Sequence, residues 1–203
     1  MSGPLLPQRP TTANAEVLSV EWMFEPLWPG QRLIARKTAD DVELTDERGE
    51  SAAPELREAA DLLRGAIRAE RAIIDGVWSA QPFIERDDES GAHAFVAVDL
   101  LELDGEALHD VPYQERRRLL ESVMDERVRV RLGPVVKHPV SGWLPGWRAI
   151  GFTHYLAKRV NSRYVPGERS EDWLKLPLRA QAPGSMVQRL VGMRGSGPRR
   201  IRD

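Results

Sequence analysis

Residues 151–176, GFTHYLAKRVNSRYVPGERSEDWLKL, carry the pattern that decides the fold. Residues 152–160 and 172–178 read as two strands, with aromatic and aliphatic side chains alternating with polar ones. A Pro-Gly pair at Pro166 and Gly167 turns the chain between them. Upstream, 127–136 reads as a strand with alternating arginines, and 112–124 as a helix opened by a proline. Residues 93–105 read as a strand that turns at Asp104-Gly105, and 71–80 as a short apolar run broken by Asp75-Gly76. Residues 54–70 give the clearest helical pattern, with Leu56, Ala60, Leu63 and Ile67 on one face. Residues 32–38 and 41–46 form a predicted hairpin, and 16–25 a strand. Residues 141–152 fit no pattern. Residues 1–15 read as a Pro-rich lead-in, 16–181 as one domain, and 182–203 as a flexible basic tail. Two helices among many short, mostly antiparallel strands make the class α+β.

Composition narrows the chemistry. The chain has 203 residues, 41% hydrophobic and 30% charged, as in an ordinary soluble domain. It has no cysteine, which removes disulfides, thiolate metal sites and thiol catalysis. His93, His109, His138 and His154 are scattered without metal spacing, so no metal site is expected. Trp22, Trp78, Trp143 and Trp147 are expected in the core. No run is long and apolar enough for a signal peptide or membrane span, so a cytoplasmic protein without membrane contact is expected. Charge is uneven. Residues 1–157 hold 18 Lys and Arg against 27 Asp and Glu, whereas 158–203 hold 11 against 4. A basic C-terminal quarter on an acidic body suits a polyanionic partner.

The phrases line up in an order that resembles one family. FEPLWPGQR (24–32) is similar to the first motif of the ATP-dependent DNA ligases, Phe-Glu-Pro-Lys-Trp-Asp-Gly-x-Arg. LTDERGE resembles the turn that follows it, IIDGVW the Asp-Gly-Glu motif, and FVAVDLLELDGEAL the Phe-Asp-Leu-Leu motif. PYQERRRLLE resembles the next helix. In 151–176, Ser162, Tyr164, Pro166, Gly167, Arg169, Ser170, Trp173 and Lys175 match the closing motifs. The resemblance spans about 20–177. It implies a ligase-like nucleotidyltransferase (adenylation) domain of mostly antiparallel sheets with flanking helices. It also implies a lysine that attacks the α-phosphate of ATP, with a divalent cation, and hands AMP to a DNA 5′-phosphate. The OB-fold domain that usually follows the last motif is not expected in this sequence.

The departures fall on the chemistry. The lysine position is Leu27, whose alkyl side chain has no lone pair. The aspartate after it is Pro29, the glutamate of Asp-Gly-Glu is Val77, and the glutamate of the Glu-Gly motif is Thr153. The stacking ring is Val98 and the last lysine is Pro177. Glu25, Arg32, Arg48, Lys158 and Lys175 remain as candidate nucleotide or phosphate ligands, Arg32 and Arg48 reading equally as surface arginines. Lys158 and Lys175, with Arg159, Arg163 and Arg169 as DNA-binding candidates, make an expected basic face on alternating strands. Lys37 is too far along its strand to replace the nucleophile. The expectation is a catalytically inactive relative without cofactor or metal, binding nicked or broken duplex or partnering an active ligase or other repair protein. Two alternatives stand beside it. One is an active ligase or adenylyltransferase with an unrecognised nucleophile, needing ATP and Mg²⁺. The other is a protein scaffold that binds no nucleic acid.

Overall fold

The structure, a computed structural model, describes residues 4–80 and 93–179, so the basic tail expected over 182–203 lies outside the described residues. Eleven strands among them build two sheets. They are β1 (Arg9–Thr12), β2 (Trp22–Pro26), β3 (Gln31–Thr38), β4 (Asp41–Asp46), β5 (Arg71–Ser79), β6 (Ala94–Leu103), β7 (Glu106–Ala107), β8 (Val130–Leu132), β9 (Val136–Lys137), β10 (His154–Arg159) and β11 (Arg169–Pro177). The first sheet runs β1-β11-β10-β2-β9 and the second β4-β3-β5-β6-β7, with β8 parallel to β6. Three helices accompany them: α1 (Arg57–Arg64), α2 (Tyr113–Val123) and α3 (Leu144–Ala149).

Alternation along the strands sorts the core into three layers. In the first sheet, Phe24, Tyr155, Ala157 and Leu176 pack with Val140, Trp147 and Phe152 from the segment around α3. In the second sheet, Leu33, Ala35, Ile74, Phe95 and Leu100 pack with Ala59 and Leu63 of α1 and Leu120 of α2. Between them, Ile34, Ile73 and Leu101 of the second sheet meet Trp173 of the first, with Tyr164 and Leu5. The strand phase therefore aims one face of each sheet at the other, and the candidate site lies on those faces.

Several elements differ from the sequence pattern, each for a physical reason. β5 is continuous, because Asp75 is ion-paired and Gly76 leaves room for the Phe95 ring. The helix expected over 54–70 is a 3-10 turn at Pro54–Leu56 plus α1, ending at Gly65. Beyond it Arg68 N–H donates to Val123 O and Asp125 N–H to Ala66 O, so the end of α2 captures that backbone. The strand expected over 127–136 splits. Val130–Leu132 joins the second sheet, and Val136–Lys137 joins the first. The strand expected from 16 begins only at Trp22. Arg9–Thr12, inside the expected lead-in, pairs parallel with β11. Residues 141–152, without a sequence pattern, hold a 3-10 turn and α3. No described helix is long and apolar enough to cross a membrane.

Candidate nucleotide and nucleic-acid site

Leu27 stands half-buried in the β2–β3 connection, its N–H donating to His154 O at 3.0 Å. The loop is held close. Ser79 Oγ donates to Pro29 O at 2.5 Å, and a Cβ on Gly30 (φ +140°) would overlap the Trp78 carbonyl oxygen. A side chain at Gly30 would push the loop off β5. Val77 and Val98 are buried, and Thr153 is exposed with Oγ1 2.9 Å from His154 Nδ1. Pro177 ends β11, half-buried. Neither valine nor an exposed threonine can neutralise a divalent cation. Among the described residues no three His, Asp or Glu converge as metal ligands. The carboxylates that the resemblance implies around a divalent cation are thus replaced at positions 77 and 153.

Glu25 and Lys158 are brought together on neighbouring strands. Lys158 Nζ lies 2.6 Å from Glu25 Oε1, and both side chains are enclosed. Tyr113 Oη donates to Glu25 Oε2 at 3.2 Å. The ammonium also lies 3.9 Å from the Trp173 ring centre and 4.7 Å from that of Tyr113. Two ring faces and one carboxylate thus replace its water shell. Burial, and then the Glu25 charge, push the Tyr113 phenol well above its ordinary pKa, so it stays a donor. This corrects the expectation of an exposed basic face. Lys158 is fully buried, because β10 is a central strand and Tyr113 and Trp173 cover that face. Lys37 is also buried, donating to Ala39 O and Ala69 O near the far end of β3.

Arg32 forks onto Asp75, with Nη2 to Oδ2 at 2.6 Å, and Tyr164 Oη donates to the same Oδ2 at 2.7 Å. Gln8 N–H donates to Tyr164 Oη at 2.9 Å. Burial alone would lower the Arg32 pKa, but Asp75 outweighs it and raises it above its ordinary range. A parallel pair, Arg116 to Asp99 at 2.8 Å through both nitrogens, is wholly enclosed.

Arg32 and Arg48 line one concavity of about 490 Å³ with Arg9, Glu47 and Gly167. Arg9 donates to Gly167 O at 2.9 Å, while Arg48 is exposed and its guanidinium has no partner among the described residues. The sequence reading missed Arg9, whose short strand is set among prolines. The three arginines expected to contact DNA are locally engaged. Arg159 pairs with Asp172 at 3.1 Å and Arg163 with Asp110 at 3.2 Å, and Arg169 donates to Pro10 O at 2.9 Å. Lys175 is half-buried, and with burial it lowers the His154 pKa, burial being the larger cause.

Comparison with known proteins places the fold in a family. The family model described as "ATP dependent DNA ligase domain" matches residues 8–176. A DNA ligase of Thermococcus fumicolans is 30% identical over 85% of this chain and 35% of its own length. The multifunctional non-homologous end joining protein LigD of Mycobacterium bovis is 32% identical over 85% of this chain and 23% of its own. Among solved structures, the ligase domain of LigD from M. tuberculosis superposes with a TM-score of 0.68 at 27% identity, covering 84% of this chain and 58% of that one. A mycobacterial DNA ligase D complexed with ATP and MES gives 0.67 at 28%, covering 85% and 60%. The chain therefore spans about a quarter to a third of those curated relatives.

Proposed function

From the premise that the chain belongs to the family of ATP-dependent DNA ligase domains, we propose that it is a catalytically inactive member that binds nicked or broken duplex DNA. The observation that carries this reading is Leu27. Adenylation needs an amine lone pair at that position, and a leucine side chain supplies none. The neighbouring positions support it. Val77 and Thr153 stand where the resemblance implies carboxylates, and Glu25 is already taken by Lys158 and Tyr113. Neither buried lysine offers a replacement amine. Lys158 is enclosed by its carboxylate and two rings, and Lys37 by two backbone carbonyls.

The binding side rests on Arg9, Arg32 and Arg48 around one concavity. Arg32 is positioned by Asp75 and keeps part of its surface in solvent. Arg48 is uncommitted among the described residues and exposed. Planar guanidiniums at spaced positions suit backbone phosphates, which position a duplex without reading its sequence. The relatives' names as DNA ligases and as an end-joining protein support DNA, and breaks in it, as the partner class. An active ligase is the protein partner such a binder would serve.

Intact-mass measurement after incubation with ATP and Mg²⁺ or Mn²⁺, paired with salt-titrated binding to nicked and intact duplex, tests the reading. No AMP adduct and a salt-sensitive preference for the nick are expected. An adduct would overturn inactivity, and salt-insensitive or absent DNA binding would overturn the DNA role.

A further inference from the structure

A second concavity lies apart from the arginines. It holds about 360 Å³ and is walled mainly by Pro26, Trp28, Val96, Leu132, Trp147 and Phe152. That is room for about a dozen waters, or for one nucleobase. Trp28 and Phe152 meet edge to face with centroids 5.2 Å apart, and Trp147 is buried beside them. The rim carries one donor and one acceptor. Arg131 is exposed, and its guanidinium has no partner among the described residues. Glu126 spends one carboxylate oxygen on Leu132 N–H at 2.9 Å and keeps the other. Leu27 itself is not among the lining residues, although its chain neighbours Pro26 and Trp28 are.

The geometry points to a pocket for one unpaired nucleobase at the end of a DNA strand, an inference that rests on the DNA-binding reading above. Aromatic walls around a slot of this size accept any planar heteroaromatic ring by stacking. The rim pair completes the match, since an unpaired base edge offers both carbonyl or ring-nitrogen acceptors for an arginine and N–H donors for a carboxylate. Trp28 and Arg32 lie four residues apart, so their Cα atoms are within about 15 Å. At about 3.4 Å of rise per nucleotide that is about four nucleotides. A strand whose phosphates lie against Arg32 and Arg48 can therefore place a terminal base in the pocket. The apolar wall at Ile150, 44% exposed, opens the mouth toward solvent.

The test uses the full chain, thymidine as the free probe, and two duplexes, one blunt and one with a single-stranded overhang. Saturable quenching of tryptophan emission by thymidine is expected, with the overhang duplex bound about tenfold more tightly than the blunt one. Ala94→Phe, which fills the pocket from β6, should abolish both effects and leave blunt-duplex affinity unchanged, its thermal melt serving as the folding control. Arg131→Ala, on the exposed rim, should cut the overhang preference without touching the core. Equal affinity for the two duplexes in the wild type, or an overhang preference that survives both variants, would overturn the proposal. Quenching by a proline-rich peptide and none by thymidine would also overturn it and make the occupant a protein segment. Thymidine binding without any DNA binding would uphold the pocket while sinking the DNA reading, so the two fail separately.

Discussion

Arg116 and Asp99 face each other with no solvent on either side chain. The carboxylate also accepts from Leu100 N–H, and the guanidinium donates to Val111 O and Ser162 O. Arg116→Met would leave a buried carboxylate half-satisfied, and should cost about 3–5 kcal/mol in a urea titration. Adding Asp99→Leu should recover much of that loss, because the orphaned charge is then gone. His109 is the neighbouring pH-sensitive group, stacked on Tyr164 with centroids 6.0 Å apart. Burial first, and then the Arg116 charge, lower its pKa, while Asp110, Asp99 and Glu102 oppose the shift. With the folded value depressed, the unfolded chain takes up the proton first. Its contribution is complete above about pH 6.5 and is lost as pH falls below that value. Between pH 7.5 and 5.5 the Tm of wild type should therefore fall more than that of His109→Phe.

At the scale of elements, β5 shows how one glycine keeps a strand continuous. A Cβ at Gly76 would run into the ring of Phe95, which is fully buried and pairs with Trp78 across the strands. Gly76→Ala should cost about 1–3 kcal/mol of overpacking, read as a lower urea midpoint at unchanged m-value. β1 teaches the converse. Its sequence is proline-rich and short, yet Gln8 just before it donates its N–H to Tyr164 and accepts Val165 N–H at 2.7 Å. Pairing with β11 and these bonds make a strand where local propensity gives none. The division of 127–136 between two sheets has the same origin: partners far along the chain decide where each piece pairs.

At the scale of the whole molecule, charge is the question. In the proposed role, the acidic body repels a polyanion, so binding depends on the few cations that no carboxylate neutralises. Arg48 is one such group, beside Arg9 and Arg32. Asp75 already neutralises Arg32, so phosphate contacts from Arg9 and Arg48 predict a slope of log K against log salt of about −2 on duplex DNA. Arg48→Ala should make that slope shallower by about one and weaken all sequences alike. Arg163→Ala, by contrast, should change it little, because Asp110 already neutralises Arg163.

The family, and the leucine at the position where the resemblance implies a lysine, were legible before folding. Motif order from Phe24 to Lys175 marks the fold, and a leucine at position 27 lacks a lone pair in any conformation. The hairpin of β3 and β4 and the turn at Asp104-Gly105 were equally legible, because each is set by neighbours in the chain. The fate of the charges was not. Lys158, next to Arg159, reads in sequence as an exposed strand lysine, and only the pairing of β10 between β2 and β11 puts it against Glu25 and under two aromatic rings. Arg9 gained its place beside Arg32 and Arg48 through a parallel strand that local sequence does not announce. Local patterns record what a residue does to its own backbone. Which charge meets solvent, a partner or a ring depends on residues distant in sequence, and that the tertiary structure decided.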